Sequence, residues 1–153
     1  MLTKLKCAMQ KMLDYSNKTV VVTGGSGGIG NAVCEELATL GAKVVLVYSR
    51  KDISGLKSAF EAKGLNLEYL QMDVSDKQSV GAGAAWVAEK LGGADVLITA
   101  AGVALTEAAL EYSAESWRKT QGINLDGTFY CAQAFAPQMQ KKGKGAISAP
   151  LRG

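Results

Sequence analysis

A β-branched run, Thr19-Val20-Val21-Val22-Thr23, passes without a spacer into Gly24-Gly25-Ser26-Gly27-Gly28-Ile29-Gly30. No other feature constrains the fold as tightly. A short run with apolar side chains on both faces reads as a strand buried on both sides. After the glycines, Ile29, Val33, Leu37 and Leu40 recur at helical spacing until Gly41 stops them. The order is therefore strand, tight glycine turn, helix. A strand buried on both faces needs helices above and below it, which points to a parallel sheet.

The same alternation continues along the chain. Lys43–Tyr48 reads as a second buried strand and Asp52–Lys63 as an amphipathic helix closed by Gly64. Leu67–Met72 reads as a third strand. Ser75-Asp76 caps a helix running to about Leu91, closed by Gly92-Gly93. Asp95–Thr99 reads as a fourth strand and Ala114 to about Lys141 as one long helix. Ala146-Ile147-Ser148 begins a fifth strand. Strands alternating with helices of this length predict an α/β fold, a Rossmann-like doubly wound parallel sheet truncated after about the fifth strand. The expected organisation is an N-terminal extension at 1–16, one domain at 17–148 and a tail at 149–153.

Composition narrows the chemistry. The 153 residues contain no histidine, which excludes Ser-His-Asp and Cys-His catalysis and any His-ligated metal. Cys7, Cys34 and Cys131 are widely spaced and odd in number, so reduced thiols in a cytoplasmic chain are expected rather than disulfides or a metal site. No apolar run is long enough for a membrane span. Lys4, Lys6 and Lys11 at the start, and Lys141, Lys142, Lys144 and Arg152 at the end, flank an acidic middle. Basic ends without a stripe of interleaved aromatics argue against nucleic acid as a partner.

The glycine turn carries the functional signal. Glycines let backbone N–H groups approach a phosphate closely. The helix behind them adds free donors and a partial positive charge, the arrangement that receives a dinucleotide's pyrophosphate. Gly24, Ser26, Gly28, Ile29 and Gly30 are the expected contacts. A P-loop is excluded, because Asn31 stands where its lysine would be. At the end of the second strand, where an NAD site commonly has an acid for the ribose hydroxyls, stands Tyr48, followed by Ser49, Arg50 and Lys51. A guanidinium pairs with a 2′-phosphate that an acid would repel. Ser49 and Arg50 are therefore assigned to the cofactor, and NADP is expected ahead of NAD.

Five motifs in order resemble the short-chain dehydrogenase/reductase family. Thr23 to Gly30 has its Thr-Gly-x-x-x-Gly-x-Gly spacing. Asp73-Val74 matches the family's adenine-holding pair. Thr99-Ala100-Ala101-Gly102 stands where Asn-Asn-Ala-Gly is usual, with both asparagines replaced. Trp117 through Ile123-Asn124-Leu125-x-Gly127 matches the helix bearing a catalytic asparagine. Gly143-Lys144-Gly145-Ala146-Ile147 resembles the approach to the fifth strand. The resemblance spans roughly residues 17–147. It implies Asp73, Val74, Ala101 and Gly102 as further cofactor contacts and Asn124 as a catalytic residue. It also implies hydride transfer between NADP(H) and a small carbonyl or alcohol such as a sugar, polyol or ketone.

The resemblance further implies a tyrosine acid/base with a lysine four residues later, because a phenol of ordinary pKa is a poor base near neutrality. None of Tyr15, Tyr48, Tyr69, Tyr112 and Tyr130 has that lysine. The chain is therefore expected to be inactive alone. The alternative reading is a non-catalytic nucleotide-binding fragment or interaction module. An exposed last strand and association of copies through the helix at 114–141 complete the expectations.

Overall fold

A computed structural model describes residues 14–49 and 52–149. Five parallel strands lie in the order β3-β2-β1-β4-β5: β1 Thr19–Thr23, β2 Lys43–Tyr48, β3 Glu68–Gln71, β4 Val96–Thr99 and β5 Ala146–Ser148. The helices between them are α1 Gly28–Thr39, α2 Ser54–Ala62, α3 Lys77–Leu91, α4 Ala114–Gln121 and α5 Gly127–Lys141. The predicted parallel α/β sheet is what forms. β1 is its axis and is buried at every position. The chain first winds outward to β2 and β3, then returns to place β4 on the other side of β1.

The two-residue side-chain period of the strands sorts the core into two halves. Val21, Val45, Val47 and Leu97 face α3 and α5, meeting Val80, Val87, Cys131, Phe135 and Met139. Val20, Val22, Val44 and Leu46 face the other way, toward Cys34 of α1 and Phe60 of α2. Burial pushes the Cys34 and Cys131 thiols up to about 12, so both behave as small apolar groups rather than nucleophiles.

Local signals place most ends. Asp76 accepts the Gln78 N–H at 2.9 Å and caps α3. Gly92 closes α3 in the left-handed region at φ +74°. One expectation changes. The single helix predicted from Ala114 to Lys141 is divided by a π-helical turn, Gly122–Asp126. Gly122 to Asp126 has no composition that sets it apart from ordinary helix, so the sequence did not reveal the turn.

The amino end of the sheet is held by a polar cluster. Asp95, just before β4, accepts the Thr19 N–H at 2.9 Å and the Lys142 ammonium at 3.1 Å. Lys142 also donates to the Gly93 carbonyl at 2.7 Å. Gln138 bridges the Ala94 N–H and the Ala84 carbonyl at 2.9 and 2.8 Å. Three consecutive backbone positions before β4 are thereby tied to α5 and to β1. Burial works to raise the Asp95 pKa, but the hydrogen bond from Thr19 and the Lys142 cation outweigh it, and the carboxyl titrates below its ordinary 3.8. A depressed folded-state pKa contributes stability above the unfolded value that is lost as pH falls through the folded one. Urea midpoints should therefore decline below about pH 4. Asp95→Asn should lower stability at neutral pH and leave a shallower acid limb. Parallel acid limbs in variant and parent would remove Asp95 from that role.

Candidate functional site

The return of the chain across β1 leaves a crevice beyond the carboxyl ends of β1 and β4, the place where open α/β sheets receive ligands. Gly24, directly after β1, has φ +65°. A Cβ there would lie 2.7 Å from both the Cα and N of Ala101, in the turn after β4. The two turns thus touch backbone to backbone. Thr23 joins them again by accepting the Ala101 N–H on its hydroxyl at 3.1 Å. Gly30 meets the same turn from the helix side, where a Cβ would come 2.3 Å from the Gly24 carbonyl oxygen. α1 therefore starts pressed against the bend of β1.

The first amide of α1 to find an acceptor inside the turn is that of Asn31, which donates to the Gly27 carbonyl at 2.8 Å. The N–H groups of Gly28, Ile29 and Gly30 precede it and belong to the unpaired first turn of the helix. Gly27 at the N-cap supplies no side-chain acceptor for them. Space beyond Gly28 is open, with no atom within 4 Å of where its Cβ would lie, and Ile29 is exposed. Unpaired donors beside open space fit the diphosphate of a dinucleotide.

The cleft has a volume of about 860 Å3, inside the range of small-molecule and cofactor sites. Gly24, Ser26, Ser49, Asp73, Val74, Ala101 and Gly102 all line it. These cofactor candidates, drawn from four strand ends, converge on one cavity. Gly28, Ile29 and Gly30 sit at the helix start rather than in the lining. Arg50, with Lys51, lies outside the described residues. Asp73 folds its own loop, since Oδ1 accepts the Ser75 N–H at 2.9 Å and the Ser75 hydroxyl at 2.7 Å. Its backbone N–H donates to Ser79 Oγ at 3.0 Å. Val74 is seated against α5, where a Cβ on Gly127 would come within 2.8 Å of its methyl.

Asn124 lies in the π turn and outside the cleft lining. Its side chain is committed in both directions, accepting the Val103 N–H at 2.8 Å and donating to the Val103 carbonyl at 2.9 Å. The amide thus closes a two-bond clamp on the loop after β4, two residues beyond Ala101. Among the described residues no group of three or more His, Cys, Asp or Glu side chains gathers as a metal site. No described helix is long and apolar enough to cross a membrane.

Sequence reasoning missed one wall. Glu115, Arg118, Lys119, Gly122 and Ile123 line the cleft from α4 and the π turn. Their spacing is that of one helical face, a legible signal had the cleft's position been known. Removing the Asn124 amide should free the loop after β4. Asn124→Ala is expected to lower stability by about 1 kcal/mol and to speed hydrogen exchange at the Val103 amide selectively. Unchanged exchange at Val103 would show the clamp to be without consequence.

Comparison with known proteins places this geometry. The sequence model of the family described as short chain dehydrogenase matches residues 18–148. Sorbose reductase of Schizosaccharomyces pombe is 35% identical over 144 residues, covering 91% of this chain and 56% of the relative. Meso-2,3-butanediol dehydrogenase of Serratia marcescens is 37% identical over 135 residues, 88% of this chain and 53% of the relative. A crystal structure of a gluconate 5-dehydrogenase from Burkholderia cenocepacia in complex with NADP and tartrate superposes with a TM-score of 0.83. It is 25% identical, with 92% of this chain and 55% of the other covered. The chain spans about half the length of the relatives it matches.

Proposed function

The chain belongs to the short-chain dehydrogenase family, and from that premise we propose that it is the NADP(H)-binding part of an oxidoreductase acting on a small alcohol or carbonyl. The observation that carries this reading is the cradle itself: unpaired amides at the start of α1, beside open space, at the mouth of a cleft of cofactor size. Gly24, Ser26, Gly28, Ile29 and Gly30 would hold the diphosphate. Asp73 and Val74 would receive the adenine, Ser49 and Arg50 the ribose 2′-phosphate, and Ala101 and Gly102 would flank the nicotinamide side. Bound there, the nicotinamide would supply the hydride-transfer chemistry. Asn124 enters as the residue that positions the loop carrying Ala101 and Gly102.

The names of the relatives favour a polyhydroxylated or diol-like substrate. They include a sorbose reductase and a butanediol dehydrogenase, and the gluconate dehydrogenase is bound to NADP. In our reading the present chain binds cofactor without turning over substrate, since no tyrosine in it is followed four residues later by lysine. Its setting is a reducing cytoplasm, in keeping with the two buried thiols. Copies associate through the 114–141 region, where Trp117, Leu125 and Phe129 lie exposed. Neither nucleic acid nor membrane has a part in this reading. A purely nucleotide-binding module would share the cradle and differ by staying inert when the rest of a family member is supplied.

Titration of the chain with NADPH, followed by nucleotide fluorescence, tests the assignment directly. Saturable binding is expected, and no binding at millimolar nucleotide would overturn it. Gly28→Val should fold normally, because its side chain enters open space, yet lose NADPH binding, because that space is the one assigned to phosphate. A variant that binds like the parent would displace the diphosphate from this turn. Joint replacement of Arg50 and Lys51 by alanine should weaken NADPH at least tenfold more than NADH, reflecting the lost charge-assisted contacts to a 2′-phosphate. Equal weakening of both nucleotides would remove the preference for NADP.

A further inference from the structure

Among the described residues, Arg118 and Lys119 are the only cations that line the cleft, and both come from α4. With Glu115 they are exposed and fall at three- and four-residue spacing, on the helix face that Gly122 and Ile123 continue. Gly122 brings that face up to the loop after β3, where a Cβ on it would lie 4.0 Å from the Ser75 Cβ. Arg118 and Lys119 stand one turn earlier. The cavity they line is closed on other sides by Tyr48 and Ser49 at the end of β2 and by Asp73 to Ser75 after β3.

Neither side chain is used by the fold. Lys63 pairs with Glu35 at 2.7 Å, Lys90 with Glu68 at 2.9 Å and Lys142 with Asp95 at 3.1 Å, but Arg118 and Lys119 have no ion pair, side-chain hydrogen bond or ring contact among the described residues. The acids nearest in the lining leave them free. Glu115 forms no ion pair with either, and Asp73 spends Oδ1 on Ser75. The helix dipole does not account for them either. Basic residues favour a last turn whose carbonyls are open, whereas here the Arg118 and Lys119 carbonyls both accept the Gly122 N–H. The chain then runs through the π turn into α5 without a free helix end. Two unpaired cations facing a cleft of cofactor size point to an anionic group of the ligand.

We propose that Arg118, assisted by Lys119, is a specificity-determining residue that pairs with the adenosine 2′-phosphate of NADP(H) from the α4 side of the cleft. The inference rests on the cofactor reading above and deepens it. A dinucleotide phosphate offers two anionic groups. The diphosphate falls to the unpaired amides at the start of α1, which receive it without a cation. The 2′-phosphate falls to the end of β2, where Ser49, the described candidate, brings no charge of its own. A phosphate monoester carries close to two charges near neutrality. The Arg118 guanidinium meets its oxygens with two parallel N–H donors, and Lys119 adds a point charge beside it. NAD has a hydroxyl at that position and gains nothing from the pair.

The test measures NADPH and NADH binding by nucleotide fluorescence, with adenosine 2′,5′-bisphosphate and adenosine 5′-monophosphate as competitors. Arg118→Gln should weaken NADPH and the bisphosphate roughly tenfold, the loss of a charge-assisted bidentate contact, and leave NADH and the monophosphate nearly unchanged. Lys119→Gln should shift the same two ligands by a smaller factor, and Arg118→Lys should recover part of the loss. Lys63→Gln removes one charge at a distant exposed ion pair and should alter none of the four. Since the Arg118 side chain is exposed and unpartnered, Arg118→Gln should give the circular dichroism spectrum of the parent. NADPH binding indifferent to Arg118→Gln would overturn the proposal. Equal weakening of NADPH and NADH would do so too, because it would reduce Arg118 to a general attraction for anions. A parent chain that binds no nucleotide overturns the cofactor reading together with this one, whereas a parent that binds NADPH beside an equally competent Arg118→Gln overturns this one alone.

Discussion

The turns after β1 and β4 meet with no room for a side chain between them, and the site depends on that contact. Gly24 adopts a left-handed backbone at φ +65° while its α-carbon faces the backbone of Ala101. Any L-residue there would be strained in conformation and in collision with main chain that has nowhere to move. The same glycine presents its carbonyl to Gly30, which lets α1 begin against the bend. One close approach therefore sets the distance from β1 to β4 at the mouth of the cleft and the position of the helix whose first amides face it.

The carboxyl and amino ends of the sheet are secured by different means. At the amino end, Asp95, Lys142 and Gln138 satisfy backbone groups through charged and amide side chains, part of them out of water. At the carboxyl end, the ties are Thr23 to Ala101 and Asn124 to Val103, neutral bonds from side chain to backbone. The first arrangement is sensitive to acid through Asp95. The two ties of the second, Thr23 to Ala101 and Asn124 to Val103, contain no group that titrates. A π turn has a function in that second arrangement. It interrupts the helix at the point where Asn124 must reach across to the loop after β4.

Edges complete the division of labour. β3 carries charge and is closed to pairing, whereas β5 is neutral, exposed and bordered by a groove. An unprotected edge in a parallel sheet is a liability unless something covers it.

Much of this was legible in the residues themselves. Val20 to Val22, apolar on both faces and followed by glycines, could only be a central strand. The glycine turn could be placed at a cleft mouth because its neighbours were a strand and a helix. Asp76 and Gly92 marked the ends of α3. The π turn was hidden, because the residue types from Gly122 to Asp126 are ones an ordinary helix also carries. The wall formed by Glu115, Arg118 and Lys119 was hidden as well, since a polar helix face does not say what it faces. Sequence alone determined the elements, their parallel pairing and the tightness of the first turn, because these follow from side-chain period and backbone freedom within a few residues. Only the tertiary structure decided that Asn124 spends its amide on Val103 and that α4 walls the cleft. Those outcomes depend on which surfaces meet across the sheet, and no local pattern encodes that.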